Sequence, residues 1–161
     1  MLRFNLFIYP KIIYKQRFFR FSIRYYSYFT LTMVSRDMAV ASSNYLRSKH
    51  HRGHWHNEAH YPAIDDHHGE RHRAMLELQE HLGQPGTKTD EIKHFMGTPT
   101  KILDQPDETL AHELKRNNEH FIYPQHAKIW IYEWRNNHDY VYYIISNDNK
   151  VLQSAWYYAF E

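Results

Sequence analysis

The clearest pattern along the chain begins after Pro124, where apolar and polar positions alternate with a period of two. Three segments, "AKIWIYEWR", "YVYYIIS" and "VLQSAWYYAF", are rich in β-branched and aromatic residues, as β-strands typically are. The stretches "NNHD" and "NDNK" between them favour turns, because Asn and Asp tolerate turn conformations. The sequence therefore predicts a three-stranded antiparallel meander.

A helical period precedes the predicted strands. One predicted helix begins near Asp66 and ends at Gly83, with apolar residues three and four positions apart at Ala74, Met75, Leu78 and Leu82. A second, short helix is expected over about 90–96, and "MGTP" ends it. A third helix over about 107–117 lies in a charged insertion of about 104–125. Two or three helices packed on a meander make an α+β domain over residues 66–161.

Aromatic residues occupy both faces of the predicted strands. Trp130, Tyr132 and Trp134 share one face of the first strand, and a strict period of two places Val151 opposite Trp156 on the last. An antiparallel sheet with one solvated face alternates apolar and polar residues, and these strands do not. The second face is therefore expected to be covered by the third helix, by the N-terminal arm, by a second copy of the chain or by another protein.

The aromatic sheet face is the predicted interaction surface. Trp and Tyr are enriched at binding hot spots, and large exposed apolar patches usually mark contact sites. A protein partner or a homo-oligomer is expected to bind through Trp130, Tyr132, Trp134, Tyr140, Tyr142, Trp156 and Tyr158. The alternative is a self-sufficient sheet, because tyrosines tolerate half-exposure with their hydroxyl groups in water.

Charge is divided unevenly between the two parts of the chain. Residues 1–65 contain ten Lys/Arg and three Asp/Glu, whereas residues 66–161 contain ten and fifteen. An acidic C-terminal part argues against a specific nucleic-acid partner, since affinity for phosphate backbones requires clustered positive charge. The chain has no Cys, which excludes disulfides, a thiolate nucleophile and zinc-thiolate sites.

The N-terminal segment 1–34 is basic, aromatic and free of acidic residues. Arg or Lys interrupts its apolar runs every few residues, so it lacks the roughly 20 apolar positions of a membrane span. Its composition and the string "RYYS" are typical of a mitochondrial presequence. The alternative is that translation starts at Met33 or Met38. The protein is accordingly expected inside the cell, in mitochondria or otherwise in the cytoplasm.

Residues 35–65 show no sustained period and are predicted to form a disordered arm. Eight histidines lie between positions 50 and 72. Closely spaced imidazoles can hold Zn, Cu or Ni, so His51, His54 and His56 are candidate metal ligands. The alternative is a solvated, low-complexity arm without a cofactor, because a flexible arm does not fix its ligands as a structural metal site does.

Several short motifs resemble the SmpA/OmlA module of BamE-type lipoproteins and of β-lactamase-inhibitory protein repeats. The matching positions are Thr89, Glu91 and Ile92 in the helix, Gly97 and Pro99 in the turn, and Trp130 and Tyr132 on the strand. The resemblance spans about residues 66–161 and implies a helix-helix-meander fold with a non-enzymatic, protein-binding role. The chain lacks a lipobox Cys and carries a long insertion, so outer-membrane assembly is not implied. The strings "WRNNHDYVYY" and "SAWYYAFE" also resemble small fungal proteins of the same general build.

An enzyme is the remaining alternative. His138 and Asp139 at the first hairpin, with Glu133, Arg135 and Glu161, are candidate acid–base groups of a small hydrolase. No nucleophile motif or phosphate loop accompanies them in the sequence, so a turn with an edge ion pair is the preferred interpretation. The sequence therefore predicts a non-enzymatic protein-binding module, with a metal-binding protein and a small hydrolase as alternatives.

Overall fold

The computed structural model describes residues 36–117 and 122–159. From Asp37 onward these residues belong to one compact unit, Asp37–Glu161. The presequence and start-site predictions fall on residues 1–34 and lie outside the described residues. In the described part of the chain, no helix has both the length and the apolar content needed to cross a membrane.

The core of the unit is an antiparallel sheet of four strands in the described residues. They are β1 (Lys101–Leu103), β2 (Lys128–Glu133), β3 (Asp139–Ile145) and β4 (Val151–Tyr158), and they lie in sequence order across the sheet. The predicted meander is β2, β3 and β4, so the α+β prediction is confirmed. Strand β1 extends the sheet at one edge, and its three residues are too few to show a period of two.

The predicted helices are present with small shifts at their ends. They are α3 (Glu70–Leu82), α4 (Thr89–Met96) and α5 (Glu108–Asn117), and a short helix α2 (Pro62–Asp65) precedes them. Helix α4 ends at Gly97, whose φ of 69° lies in the left-handed region that favours glycine. Helix α5 begins where the Asp107 side chain accepts a hydrogen bond from the Leu110 amide, at 2.8 Å.

The prediction of a disordered arm over residues 35–65 is wrong for the described residues. Residues 36–48 form helix α1, and a 3₁₀ helix follows at His54–His56. Met38, Ala41 and Tyr45 recur three and four positions apart and join the hydrophobic core, with Tyr45 only 1% exposed. Helix α1 is held to α4 by the Ser42 hydroxyl, which donates to the carbonyl of Phe95 at 2.7 Å.

Helices cover both faces of the sheet. On one face, α1, α3 and α4 pack against Trp130, Tyr132 and Trp134 of the first meander strand and its end. On the other face, Leu110 and Leu114 of α5 pack against alternate residues of β2 and β3. Among the coverings that the sequence allowed, the third helix therefore covers the second face, and a helix of the supposed arm helps to cover the first.

A β-bulge interrupts the pairing of β3 with β4. The register shifts between Ile144 and Ile145, so that Ile145 lies opposite Val151. Because the bulge changes the alternation, Val151 belongs to the same core cluster as Trp156. The prediction that Val151 faces away from Trp156 is therefore wrong, since it assumed an uninterrupted period of two.

Candidate anion-binding site

A basic cavity of about 370 Å³ opens where four parts of the fold meet. They are the end of α1 with the loop that follows it, helix α3, the turn after α4 and the end of β2. Its lining consists of Tyr45, Lys49, His50, His51, Arg52, His56, Arg71, Thr98, Pro99, Thr100, Glu133 and Trp134. Three Lys/Arg side chains, three His side chains and one carboxylate therefore surround one volume.

Arg71 is the most deeply buried charge of this lining, at 3% exposure. Its Nη2 donates to the carbonyls of Ser48 and His51, and its Nε lies 3.4 Å from the Ser48 hydroxyl. No described residue accepts a hydrogen bond from Nη1. Burial lowers the pKa of Arg71, whereas Tyr45 and then Asp65 raise it, although Arg71 and Asp65 form no ion pair within 4 Å. A buried guanidinium with a spare donor favours an anionic ligand.

Tyr45 presents a second donor to the same cavity. Its hydroxyl has no hydrogen-bond acceptor among the described residues, although the side chain is only 1% exposed. Burial raises the pKa of this phenol well above its usual value, the nearby Arg71 opposes that rise, and Glu133 adds to it. The hydroxyl therefore stays protonated and able to donate at physiological pH.

Lys49 fastens the wall of the cavity to the turn after α4. Its Nζ donates to the carbonyls of Met96 at 2.9 Å and Thr98 at 2.5 Å, and it lies 5.4 Å from the ring centroid of Tyr132. Tyr132 in turn donates its hydroxyl to the carbonyl of Gly97, at 2.9 Å. Burial lowers the pKa of Lys49. The "MGTP" turn is thus held by two side chains, and it brings Thr98 and Thr100 to the cavity.

Glu133 is the only carboxylate among the described residues of the lining, and it is paired with a lysine outside that lining. Its Oε1 lies 2.9 Å from Nζ of Lys101, and its backbone amide donates to the Thr100 hydroxyl at 3.2 Å. With its histidines neutral, the lining carries two net positive charges from Lys49, Arg52 and Arg71 against Glu133. The cavity is therefore electropositive although the C-terminal part of the sequence is acidic.

The predicted metal ligands do not assemble into a site. His51 and His56 line the basic cavity, whereas His54 is outside its lining. The ring of His56 bonds through Nδ1 to the carbonyl of Arg52, at 2.7 Å. In the described ranges, no three His, Asp or Glu side chains are placed to hold a metal ion together. The prediction that His51, His54 and His56 reach one ion is therefore not met by this geometry.

The predicted partner-binding residues are mostly inside the protein. Five of the seven, Trp130, Tyr132, Trp134, Tyr140 and Tyr142, are at most 6% exposed. Trp156 and Tyr158 are partly buried and pack against the first core cluster. The prediction that the aromatic sheet face is an exposed docking surface is therefore wrong, because helices of the same chain cover it.

A cluster of rings surrounds Trp134 beside the cavity. His72 stacks on the indole with 4.1 Å between ring centroids, and the guanidinium carbon of Arg135 lies 3.9 Å from the centroid. The indole nitrogen donates to the carbonyl of Ile64, at 2.7 Å. Burial, then the nearby His67, His68 and Arg135, lower the pKa of His72 to about 4. His72 is therefore neutral at physiological pH, and it serves packing rather than charge.

Two of the candidate hydrolase groups, Arg135 and Asp139, form an ion pair at the hairpin. Asp139 accepts a hydrogen bond from Arg135 at 3.2 Å, and Arg135 also donates to the carbonyl of Asp65. The ring of His138 packs on Trp55 with 4.8 Å between centroids. Glu133 pairs with Lys101 and Glu161 lies outside the described residues. The sequence interpretation expected an edge ion pair of His138 and Asp139, whereas Asp139 pairs with Arg135 and lies at the start of β3, between β2 and β4.

Arg71 and Tyr45, the two buried donors of the cavity, were not predicted from the sequence. A signal for Arg71 was present, because it lies four positions before Met75 on the apolar stripe of α3. A charge at such a position is buried when the helix packs. Tyr45 was missed because the polar composition of residues 35–65 predicted a disordered arm.

Comparisons of the chain with protein-family models, with curated proteins and with solved structures found no match. The resemblance to the SmpA/OmlA module therefore stays a prediction, and the candidate site is defined by its geometry.

Proposed function

We propose that the protein is a non-enzymatic binding module whose basic cavity holds an anionic group. The observation that carries this proposal is the spare donor of Arg71, a guanidinium that is 97% withdrawn from solvent yet borders an open volume. A buried charge without a direct ion pair is costly, and an anion in the cavity would reduce that cost. The hydroxyl of Tyr45 supplies a second donor to the same ligand.

The non-enzymatic binding role that the sequence predicted is retained, but its location changes from the aromatic sheet face to the basic cavity. The resemblance to the SmpA/OmlA module implies a non-enzymatic, protein-binding role, so it supports the non-enzymatic part of the proposal and not the choice of ligand. A hydrolase is a weaker candidate, because the Asp139 carboxylate is engaged by Arg135 and His138 packs on an indole ring. Metal binding by the histidines is weaker too, since the described residues bring no three ligands together.

The test is a titration of the protein with sodium acetate and, separately, with inorganic phosphate, followed by backbone amide chemical shifts at constant ionic strength. We expect saturable shifts at residues 49–52 and 98–100 with one or both anions. Tyr45→Phe removes one donor and keeps the ring, and Arg52→Gln removes an exposed charge. Each variant should weaken binding by roughly three- to tenfold.

Arg73→Gln is the matched control for this titration, because Arg73 is an exposed residue of α3 that does not line the cavity. It changes the net charge of the protein by the same amount as Arg52→Gln and should leave the affinity unchanged. If neither anion binds, or if all three variants weaken binding equally, the cavity is not an anion site.

A protein partner is the second candidate, and one observation favours it. Within the described residues, β4 is hydrogen-bonded to β3 on one side and has no strand on its other side, where Val151 alone of its residues bonds to the backbone of Gly86 and Thr87. Leu152 on this edge strand is 41% exposed. A partner strand, or the β4 edge of a second copy, could pair there through its backbone. Light scattering at rising protein concentration tests the second copy, because edge pairing would double the measured mass.

A further inference from the structure

We propose that the anionic group held by the basic cavity is a phosphomonoester dianion. This inference rests on the proposed function and narrows it from anions in general to one class of ligand. Three independent features of the cavity carry it: its net charge, its arrangement of donors and its size.

The charge of the lining matches a dianion. Lys49, Arg52 and Arg71 outweigh Glu133 by two charges, and Glu133 is itself paired with Lys101 at 2.9 Å. A phosphomonoester carries between one and a half and two negative charges near neutral pH, because its second pKa is about 6. A carboxylate brings one charge and would leave the lining electropositive.

The donors of the cavity match a group with more than two acceptor oxygens. Arg71 has a spare Nη1, and Tyr45 has a hydroxyl without an acceptor among the described residues. Lys49 donates two hydrogen bonds, to the carbonyls of Met96 and Thr98, and its ammonium group has a third N–H donor. Three donors from three side chains suit the three terminal oxygens of a phosphate better than the two oxygens of a carboxylate.

The size of the cavity favours an organic phosphate over the bare ion. A volume of about 370 Å³ lies within the range of small-molecule sites, about 300 to 1,000 Å³. The remaining wall contains Pro99, the ring of Trp134 and two threonines, which can contact a small organic group. The phosphate would therefore be attached to a metabolite-sized molecule or to a phosphorylated side chain, and both share this chemistry.

The experiment compares three small probes that differ in charge and shape. Methyl phosphate is a dianion at pH 7.5, dimethyl phosphate keeps the phosphorus centre with one charge less, and acetate is a planar monoanion. Binding of each to the whole chain is measured by chemical-shift titration at constant ionic strength. We expect methyl phosphate to bind at least about tenfold more tightly than the other two.

Equal affinities for the three probes, or tighter binding of acetate, would overturn the dianion while leaving the anion site in place. Absence of binding by all three would remove both proposals at once. Tyr45→Phe should reduce the preference for methyl phosphate over acetate, whereas Arg73→Gln should preserve it. A loss of preference in Arg73→Gln would mean that net charge, and not the cavity, selects the ligand.

A second arm identifies the source of the phosphate. A blocked tripeptide with a central phosphoserine is titrated beside methyl phosphate. If the peptide binds at least as tightly, the ligand is a phosphorylated side chain. If the peptide binds more than about tenfold more weakly, its backbone does not fit the opening and the ligand is a small phosphomonoester.

Discussion

His72 shows how one buried side chain can make the whole fold sensitive to pH. Its Nδ1 accepts a hydrogen bond from the His68 amide at 3.0 Å, and its Nε2 lies 3.1 Å from the Tyr158 hydroxyl. Because Nδ1 accepts, the ring is neutral and Nε2 carries the proton. Protonation of Nδ1 would break the first contact and bury a charge beside Arg135.

The pKa of His72 predicts a loss of stability in acid. Its folded-state pKa is lowered from 6.5 to about 4, so the unfolded chain binds a proton first as the pH falls. The free energy of unfolding should fall between about pH 6.5 and 4, with about 2 kcal/mol lost between pH 7.5 and pH 5 from this residue. Urea unfolding at pH 7.5 and pH 5 measures the difference.

His72→Phe keeps an aromatic ring against Trp134 and removes the titrating group. The variant should be less stable at pH 7.5, since it loses two hydrogen bonds, but the difference between the two pH values should shrink by about 2 kcal/mol. His94→Phe replaces an exposed histidine of α4 and should leave that difference unchanged. An unchanged pH difference in His72→Phe would contradict the assignment.

Among the secondary-structure elements, α1 differs most from the sequence prediction, because residues 36–48 were predicted to be part of a disordered arm. Tyr45 is 1% exposed, whereas its neighbour Leu46 points outward and is 36% exposed. If α1 packs as described, Tyr45→Ala should lower the free energy of unfolding by about 3 to 5 kcal/mol. Leu46→Ala should change it by less than about 0.5 kcal/mol, and chemical denaturation measures both. Near-neutral effects at both positions would mean that residues 36–48 do not belong to the core.

Helices α3, α4 and α5 and the meander could be predicted because each shows its own period and stop signals. Gly83 and the "MGTP" string mark helix ends, and Asn-rich turns separate the strands. Helix α1 could not be distinguished from a linker, because its buried face includes polar residues. Ser42 and Ser48 are both buried: the Ser42 hydroxyl donates to the carbonyl of Phe95, which only the folded structure supplies, and the Ser48 hydroxyl donates to the carbonyl of Tyr45 on the same helix.

The candidate site was not predictable for a related reason. Tyr45, Arg71 and Glu133 lie far apart in the sequence and come together only when α1, α3 and β2 pack. The histidines that the sequence predicted as metal ligands do not converge, since His51 and His56 line the cavity whereas His54 lies near Trp55. The density of histidines along the sequence is therefore a weaker indicator of a binding site than the burial of a charged side chain such as Arg71.

At the scale of the whole molecule, the folding unit begins earlier than the sequence indicated. The predicted domain started at residue 66, but the compact unit starts at Asp37. The ring nitrogen of Trp134 donates to the carbonyl of Ile64, and the guanidinium of Arg135 donates to that of Asp65. A boundary at residue 66 would cut through these contacts and remove α1.

Two fragments test this boundary. Residues 36–161 should unfold in one cooperative transition with strong near-ultraviolet circular dichroism, because α1 and the segment before α3 are retained. Residues 66–161 should lose much of that signal and bind a hydrophobic dye, since the aromatic face that α1, α3 and α4 cover would lose α1. Equal cooperativity in both fragments would show that α1 is dispensable.

The surroundings of the four tryptophans also determine the intrinsic fluorescence of the protein. Trp130 has Lys93 over its ring at 5.1 Å, and Trp134 lies between His72 and Arg135. Trp55 has Arg135 at 5.3 Å, and Trp156 meets His72 edge-on at 5.1 Å. Trp55, Trp130 and Trp134 thus each have a Lys or Arg side chain beside them, whose electric field shifts the energy of the excited state, and Trp156 contacts the neutral ring of His72. The emission wavelength of each tryptophan therefore depends on its neighbouring side chains, and the native emission spectrum reports on those contacts.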